Sequence, residues 1–292
     1  MAQTETQTPT DTMDSLVSTE WLSQHLDDPD LVVFDCSVFQ EDPEDGDFHN
    51  VSGRANYETG HIPGAGFADL TTDLTDPEGV EFAVPTPEKF CAAMGALGVG
   101  DKSRVVLYDE NMSFWAARVW WMLRWAGFDR AALLDGGLGA WKAEGRPLST
   151  EEPTRSANTL TPAPRPELIA DRDDVLAAID DPDTLIIDTL PEAMYQGQMP
   201  MYGRPGHIPT AINTCAMDLE DETGHFRPLD ELAEICVGER DARAITYCGG
   251  GIMASANAFA MTRLGFTDVA VYTASLQEWA ADPSNPMVVE EN

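Results

Sequence analysis

The sequence predicts two α/β domains in tandem, each a parallel sheet flanked by helices, and three observations support this. The chain has 292 residues, enough for two domains of roughly 150 residues with an apolar core each. Its halves repeat one another: LVVFDCS, GHIPGA, RVVLYD and LRWAGFDRAALLDGGLGAWKAEGRPL in the first are answered, in order, by TLIIDTL, GHIPTA, AITYC and TRLGFTDVAVYTASLQEWAADPSNPM in the second. In each half, short apolar, β-branched runs alternate with helix-like stretches, as βα units on a parallel sheet require.

Taken in order, residues 1–14 (MAQTETQTPTDTMD) lack the basic and apolar regions of a signal peptide and read as a disordered polar tail. The first domain, 15–148, has buried-strand runs at 31–34, 104–108 and 131–134, and a helix over 114–125 that a glycine stops at the Gly-Phe pair 127–128. Residues 149–166, rich in Pro, Thr and Glu and without periodicity, form the linker. In the second domain, 167–292, the strand runs are 184–187, 244–247 and 269–272, with a helix over 255–264 before the Gly-Phe pair 265–266.

Asp and Glu number 51 against 17 Lys and Arg, for a net charge of −34. Only Lys89, Lys102 and Lys142 are lysines. Such a field repels phosphate backbones, which argues against a nucleic-acid partner. Abundant carboxylate with almost no ammonium is the pattern of a salt-adapted, halophilic protein. The most apolar stretch, 114–128, is interrupted by Arg118 and Arg124, so no membrane span is expected. Five scattered cysteines without a CxxC pair argue against a disulfide framework or zinc site and fit a reducing cytoplasm. No metal or organic cofactor is implied.

The asymmetry between the copies shows where chemistry would lie. At equivalent strand ends the first half reads LYDENMSFWAAR and the second TYCGGGIMASAN, so Asp109 stands where Cys248 stands. Ligands of open parallel sheets sit at the carboxyl ends of strands. Behind Cys248 come Gly249, Gly250 and Gly251, then Ile252 and Met253, then a helix opening near Ala254 and Ser255. Glycines let backbone N–H groups converge, and the helix start adds its own unpaired donors, so an anionic sulfur is stabilised and the thiol becomes a nucleophile.

With the paired GHIP motifs, RVWWMLR, LLDGGLGAW at 133–141 and TYCGGGI, the chain resembles the tandem-domain rhodaneses and mercaptopyruvate sulfurtransferases over about residues 16–286. The resemblance implies two rhodanese-like domains, the first unreactive with Asp109 at the nucleophile position, the second catalytic. It implies that Cys248 takes the outer sulfur of a small anionic donor as a persulfide, with Gly249, Gly250, Gly251, Ile252 and Met253 cradling it, and that a thiophilic acceptor such as cyanide or a thiol then removes it. Thiosulfate is the donor favoured on this reading; 3-mercaptopyruvate, or a persulfide carrier with little turnover, is the alternative. The Gly-Ser-Gly-Val loop usual in mercaptopyruvate enzymes has Gly250 at its serine position here, and the position at which those enzymes contribute an acidic residue from the first domain holds Thr71, with Asp69 two residues earlier.

Arg204, just before the second GHIP, is the candidate cation for the donor. His61, His207, Asp35 and Asp188 recur in both copies, which favours structural roles. Trp115, Trp120, Trp121 and Trp125 fall at helical spacings that suit core and interdomain packing. Cys36, Cys91, Cys215 and Cys236 lack a glycine cradle and are expected to be inert. A cysteine phosphatase needs an arginine six positions after the nucleophile, where Ala254 stands, which argues against that activity. The oligomeric state is not legible in the sequence.

Carboxylate repulsion is screened within a few ångströms in molar salt and opposes compaction at low ionic strength. Circular dichroism is therefore expected to show lower thermal stability in dilute buffer than in molar KCl; superimposable melting curves would refute the salt dependence.

Overall fold

The computed structural model describes residues 13–41, 49–110 and 112–290, so all but the last two residues of the polar tail read at the amino terminus lie outside the described residues. In the first half lie β1 (Leu16–Val17), β2 (Leu31–Asp35), β3 (Val38–Glu41), β4 (His49–Ser52), β5 (Gly66–Phe67), β6 (Arg104–Tyr108) and β7 (Ala131–Leu134). Five of them form a parallel sheet in the order β1-β7-β6-β2-β5, and β3 and β4 pair as an antiparallel hairpin with Val38 opposite Ser52. The second half has β8 (Ile169–Ala170), β9 (Thr184–Asp188), β10 (Ile212–Asn213), β11 (Arg243–Tyr247) and β12 (Val269–Tyr272), in the order β10-β9-β11-β12-β8. Strand for strand, this is the order of the first sheet.

The central strands are buried because helices cover both faces; β2, β7 and β12 are buried at every position. Local capping fixes the helix starts. The Ser18 hydroxyl accepts from the Trp21 N–H at 3.1 Å, Pro87 follows the Thr86 cap, and Asp171 and Asp174 form a reciprocal capping box. The helix expected over 255–264 spans Ile252–Arg263. It starts three residues earlier because Gly251, at φ +80°, caps it directly and leaves only three residues between β11 and the helix apart from the cysteine itself. The linker has no helix or strand from 150 to 165 but is anchored: the Asn158 N–H donates to Gly95 O at 2.8 Å and the Ala163 N–H to Ala126 O at 2.9 Å.

The halves meet where the Phe114–Trp125 helix packs on the Ile252–Arg263 helix, with Trp120 edge-on to Phe259 at 4.8 Å between centroids. One apolar core runs through both halves across this seam. On either side of it, a segment of each half covers the strand-end loop of the other. Arg118 Nη2 donates to Phe82 O at 2.9 Å and its Nη1 reaches Gly251 O, while the Phe226 N–H donates to Asp135 Oδ1 at 2.9 Å.

Glu220 lies in this interface, 5% exposed, with Asp109, Asp135 and Asp221 as electrostatic neighbours. Burial, reinforced by those carboxylates, pushes its carboxyl up from 4.5 to about 8. Between these values the folded state holds a proton that the unfolded chain has released, so the contribution of Glu220 to stability falls as pH rises through this window. Glu220→Gln is expected to raise the melting temperature at pH 8.5 by roughly 3–6 °C and to change it little at pH 4.5, as read by calorimetry in molar KCl; an equal shift at both values would remove the carboxyl as the cause.

Candidate active site

Strand β11 ends at Tyr247, and Cys248 opens the turn that leads into the Ile252–Arg263 helix. The sulfur is buried, and the Gly251 N–H points at it, with N to Sγ 3.1 Å. The backbone of Cys248 is fixed from the far side. Its N–H donates to Ser275 Oγ at 3.1 Å, that hydroxyl donates to Tyr272 O at 2.6 Å, and the Leu276 N–H donates to Cys248 O at 3.1 Å. Ser275 holds φ +51°, a left-handed conformation that costs a non-glycine residue roughly 1–3 kcal/mol, and its hydroxyl is what the conformation brings under Cys248. Gly251 can be nothing larger, since a Cβ there would lie 2.7 Å from Thr273 O.

The first copy shows the same turn filled differently. Asp109 accepts from the Ser113 N–H at 3.1 Å and the Ala116 N–H at 2.8 Å, so its carboxylate occupies the helix N-terminus itself. The Leu138 N–H donates to Asp109 O at 3.1 Å, matching Leu276 on Cys248.

Cys248 lies on a cavity of about 500 Å³ between the halves. Phe39, Phe82 and Trp115 come from the first half, and Tyr202, Ile252 and Gln277 from the second. Among the described residues that line it there is no Lys, Arg, His, Asp or Glu. Tyr202 takes the space above Gly249, where a Cβ would come within 1.8 Å of its hydroxyl oxygen. The Gln277 amide lies against Gly250, its Nε2 2.7 Å from where a Cβ would stand. Burial pushes the Tyr202 phenol up, so it remains a donor at neutral pH.

Of the residues singled out from the sequence, Cys248, Gly249, Gly250, Ile252 and Met253 line the cavity, and Gly251 supplies its N–H to the sulfur. Arg204 is elsewhere: its Nη1 donates to Asp282 O at 3.1 Å and Asn285 O at 2.9 Å, and it is not among the lining residues. Thr71 donates to Asp69 within its own turn at 2.6 Å. His61 and His207 each stack on a tyrosine and bond through Nδ1 to a main-chain oxygen, Tyr57 O at 2.8 Å and Tyr195 O at 2.9 Å. Asp35 and Asp188 accept from the N–H two residues on at 2.9 Å, and burial raises Asp188 to about 6. Burial raises all four other thiols, Cys91 to about 11 and Cys236 to about 12, which keeps them protonated at neutral pH. No group of three or more His, Cys, Asp or Glu among the described residues could hold a metal ion.

Sequence reasoning passed over Tyr202, Gln277 and Arg118. Arg118 sits within an apolar helix of the first half and is fully buried, with no carboxylate within ion-pair distance among the described residues. Its guanidinium bonds to Phe82 O and, at 3.5 Å, to Gly251 O, and its Nε has no hydrogen-bond partner. Burial lowers its pKa to about 10, so it is still a cation at neutral pH. Because a peptide plane sets its C=O and following N–H opposite one another, pinning Gly251 O inward aims the Ile252 N–H outward. Arg118→Met, which removes the buried cation behind Gly251, is expected to slow iodoacetamide alkylation of Cys248 at pH 7 roughly tenfold in protein that circular dichroism shows to be folded. An unchanged rate would mean that the arginine only packs.

Comparison with known proteins agrees with this architecture. A model of the rhodanese-like domain matches residues 18–144 and again 171–282. The chain is 34% identical over 282 residues to a probable 3-mercaptopyruvate sulfurtransferase of Pseudomonas aeruginosa, covering 93% of this chain and 97% of that protein. It is 34% identical over 279 residues to the 3-mercaptopyruvate sulfurtransferase of Escherichia coli K12, covering 93% and 96%. The crystal structure of SseA from Escherichia coli superposes with a TM-score of 0.79 at 31% identity, covering 90% of this chain and 99% of that one. Two matched domains, relatives along nearly the whole chain and a shared fold show that this protein belongs to the rhodanese family, as a tandem-domain sulfurtransferase.

Proposed function

We propose that the chain moves sulfur from 3-mercaptopyruvate to a thiol acceptor through a persulfide on Cys248, in place of the thiosulfate favoured by the sequence. The observation that carries the reading is an uncharged cavity above a sulfur held by a main-chain N–H. A dianion such as thiosulfate would give up its water there with no cation among the described lining residues to replace it, a cost of several kcal/mol per ion. 3-Mercaptopyruvate carries one charge instead of two, and its keto oxygen suits the neutral donors at hand, the Tyr202 hydroxyl and the Gln277 amide. The activity named for the 34% identical relatives agrees with this donor.

In the first half-reaction the Cys248 thiolate attacks the thiol sulfur of the donor. The new S–S bond forms as the C–S bond breaks, and its electron pair passes to carbon as the enolate of pyruvate, which takes a proton. The Gly251 N–H stays on Cys248 Sγ while the added sulfur extends into the cavity.

Initial rates with both donors in molar KCl, followed by pyruvate and sulfite release, test this. kcat/KM for 3-mercaptopyruvate is expected to exceed that for thiosulfate at least tenfold, and the reverse order would restore thiosulfate. Cys248→Ser is expected to abolish transfer from either donor and Cys236→Ser to leave it nearly intact; equal losses would count against the persulfide on Cys248.

A further inference from the structure

We infer that the sulfur acceptor is a small thiol with an apolar body, taken in preference to anionic and peptide thiols. This rests on the sulfur-transfer reading above and adds the chemistry of the second substrate. Five of the chain's 12 methionines, Met112, Met194, Met201, Met217 and Met253, line the one cavity that holds Cys248. Methionine is flexible and polarizable, and it packs well against sulfur and alkyl groups of varied shape. Met201 and Met217 are 40% and 46% exposed, so the thioethers extend to the solvent-facing edge of the cavity. Exposed apolar side chains around a concavity mark a binding site.

The contrast with the rest of the molecule strengthens the assignment. In a chain with 23% charged residues and a net charge of −34, the described cavity lining has no charge at all. Its polar side chains apart from Tyr202 and Cys248 are the neutral amides Gln40, Asn50 and Gln277. Asn50 is itself bonded to a carboxylate, donating to Glu81 Oε1 at 3.0 Å, so an acceptor carrying two carboxylates, one more than the donor, would meet negative charge at that wall. The volume of about 500 Å³ also far exceeds what a three-carbon keto acid fills, and lies in the range of pockets that enclose larger, mainly apolar ligands.

The transfer balances without a further reagent. The acceptor thiol loses its proton, and its thiolate attacks the outer sulfur of the Cys248 persulfide. A new S–S bond joins acceptor and transferred sulfur, the bond to Cys248 Sγ breaks with its electron pair returning to that sulfur, and the acceptor leaves as a hydropersulfide. No net oxidation occurs.

The persulfide enzyme is prepared by loading with 3-mercaptopyruvate or, separately, with inorganic polysulfide, and is freed of donor in molar KCl. Its single-turnover discharge is then followed by mass spectrometry with linear alkanethiols of two to five carbons, with mercaptosuccinate and with glutathione, at matched thiolate concentrations. The second-order rate constant is expected to rise by up to roughly fourfold per added methylene, as burial of each CH₂ allows, with both anionic thiols slower than ethanethiol. Met217→Lys is expected to flatten the series and to speed the anionic thiols. A flat series in the unaltered enzyme, or anionic thiols as fast as the alkanethiols, would overturn the inference. Failure of loading with 3-mercaptopyruvate but not polysulfide overturns the donor alone and leaves the acceptor comparison to be made. Failure with both, seen before any acceptor is added, overturns sulfur transfer at Cys248 and this inference with it.

Discussion

The seam between the Phe114–Trp125 and Ile252–Arg263 helices is the constraint on which the site depends. Both helices begin at the carboxyl end of a central strand, so packing them together brings the two strand-end loops to one interface. Each loop is then covered by the other half. Phe82, Arg118 and the β3–β4 hairpin approach Cys248 from the first half, and Glu220 and Phe226 approach Asp109 and Asp135 from the second. A single copy would expose the apolar stripe that carries Trp120 or Phe259, and would have a cysteine with no roof. The first half therefore supplies one wall of the cavity that holds Cys248.

The two copies differ in what fills the turn after the central strand. In the first, the Asp109 carboxylate reaches the N–H groups of Ser113 and Ala116 and so takes two donors of the helix start. In the second, the loop is one residue shorter and Cys248 carries a single acceptor atom, bonded to the Gly251 N–H. The rest of the helix N-terminus still presents unpaired donors, which an added sulfur can use. Ser275 in its left-handed conformation keeps that turn rigid, where the first copy has Gly137 at φ +54°.

Most of the framework was legible because it is local. Runs such as 105–108 and Val269–Tyr272 carry their apolar, valine-rich pattern in the sequence, and the repeat aligned the two halves. The two-residue strands β1, β5, β8 and β10 were not legible, being too short to show a period. Cys248 and its glycines were visible as a strand, a turn and a helix start in succession. What surrounds them was not, because Tyr202, Gln277 and Arg118 are brought to the loop by tertiary packing and have no spacing that marks them. Arg204 illustrates the converse. The sequence shows a cation near GHIP but not its partners, and the carbonyls at 282 and 285 hold it away from the cavity lining.

The charge of the molecule and the neutrality of its cavity belong to one electrostatic arrangement. At molar salt the Debye length is about 3 Å, so surface carboxylates act little on a sulfur buried among Phe39, Tyr202 and Trp115. What remains is short-ranged: the Gly251 N–H on the sulfur and the guanidinium of Arg118 behind the same glycine. Both act on the turn that carries Cys248 from within the protein, where bulk salt screens little. Each negative charge that a substrate brings finds no cation in the described lining and must be desolvated there, so a dianion is penalised more than a monoanion. On the proposed reading, the neutrality of the described lining is what would sort donors by how much charge they bring.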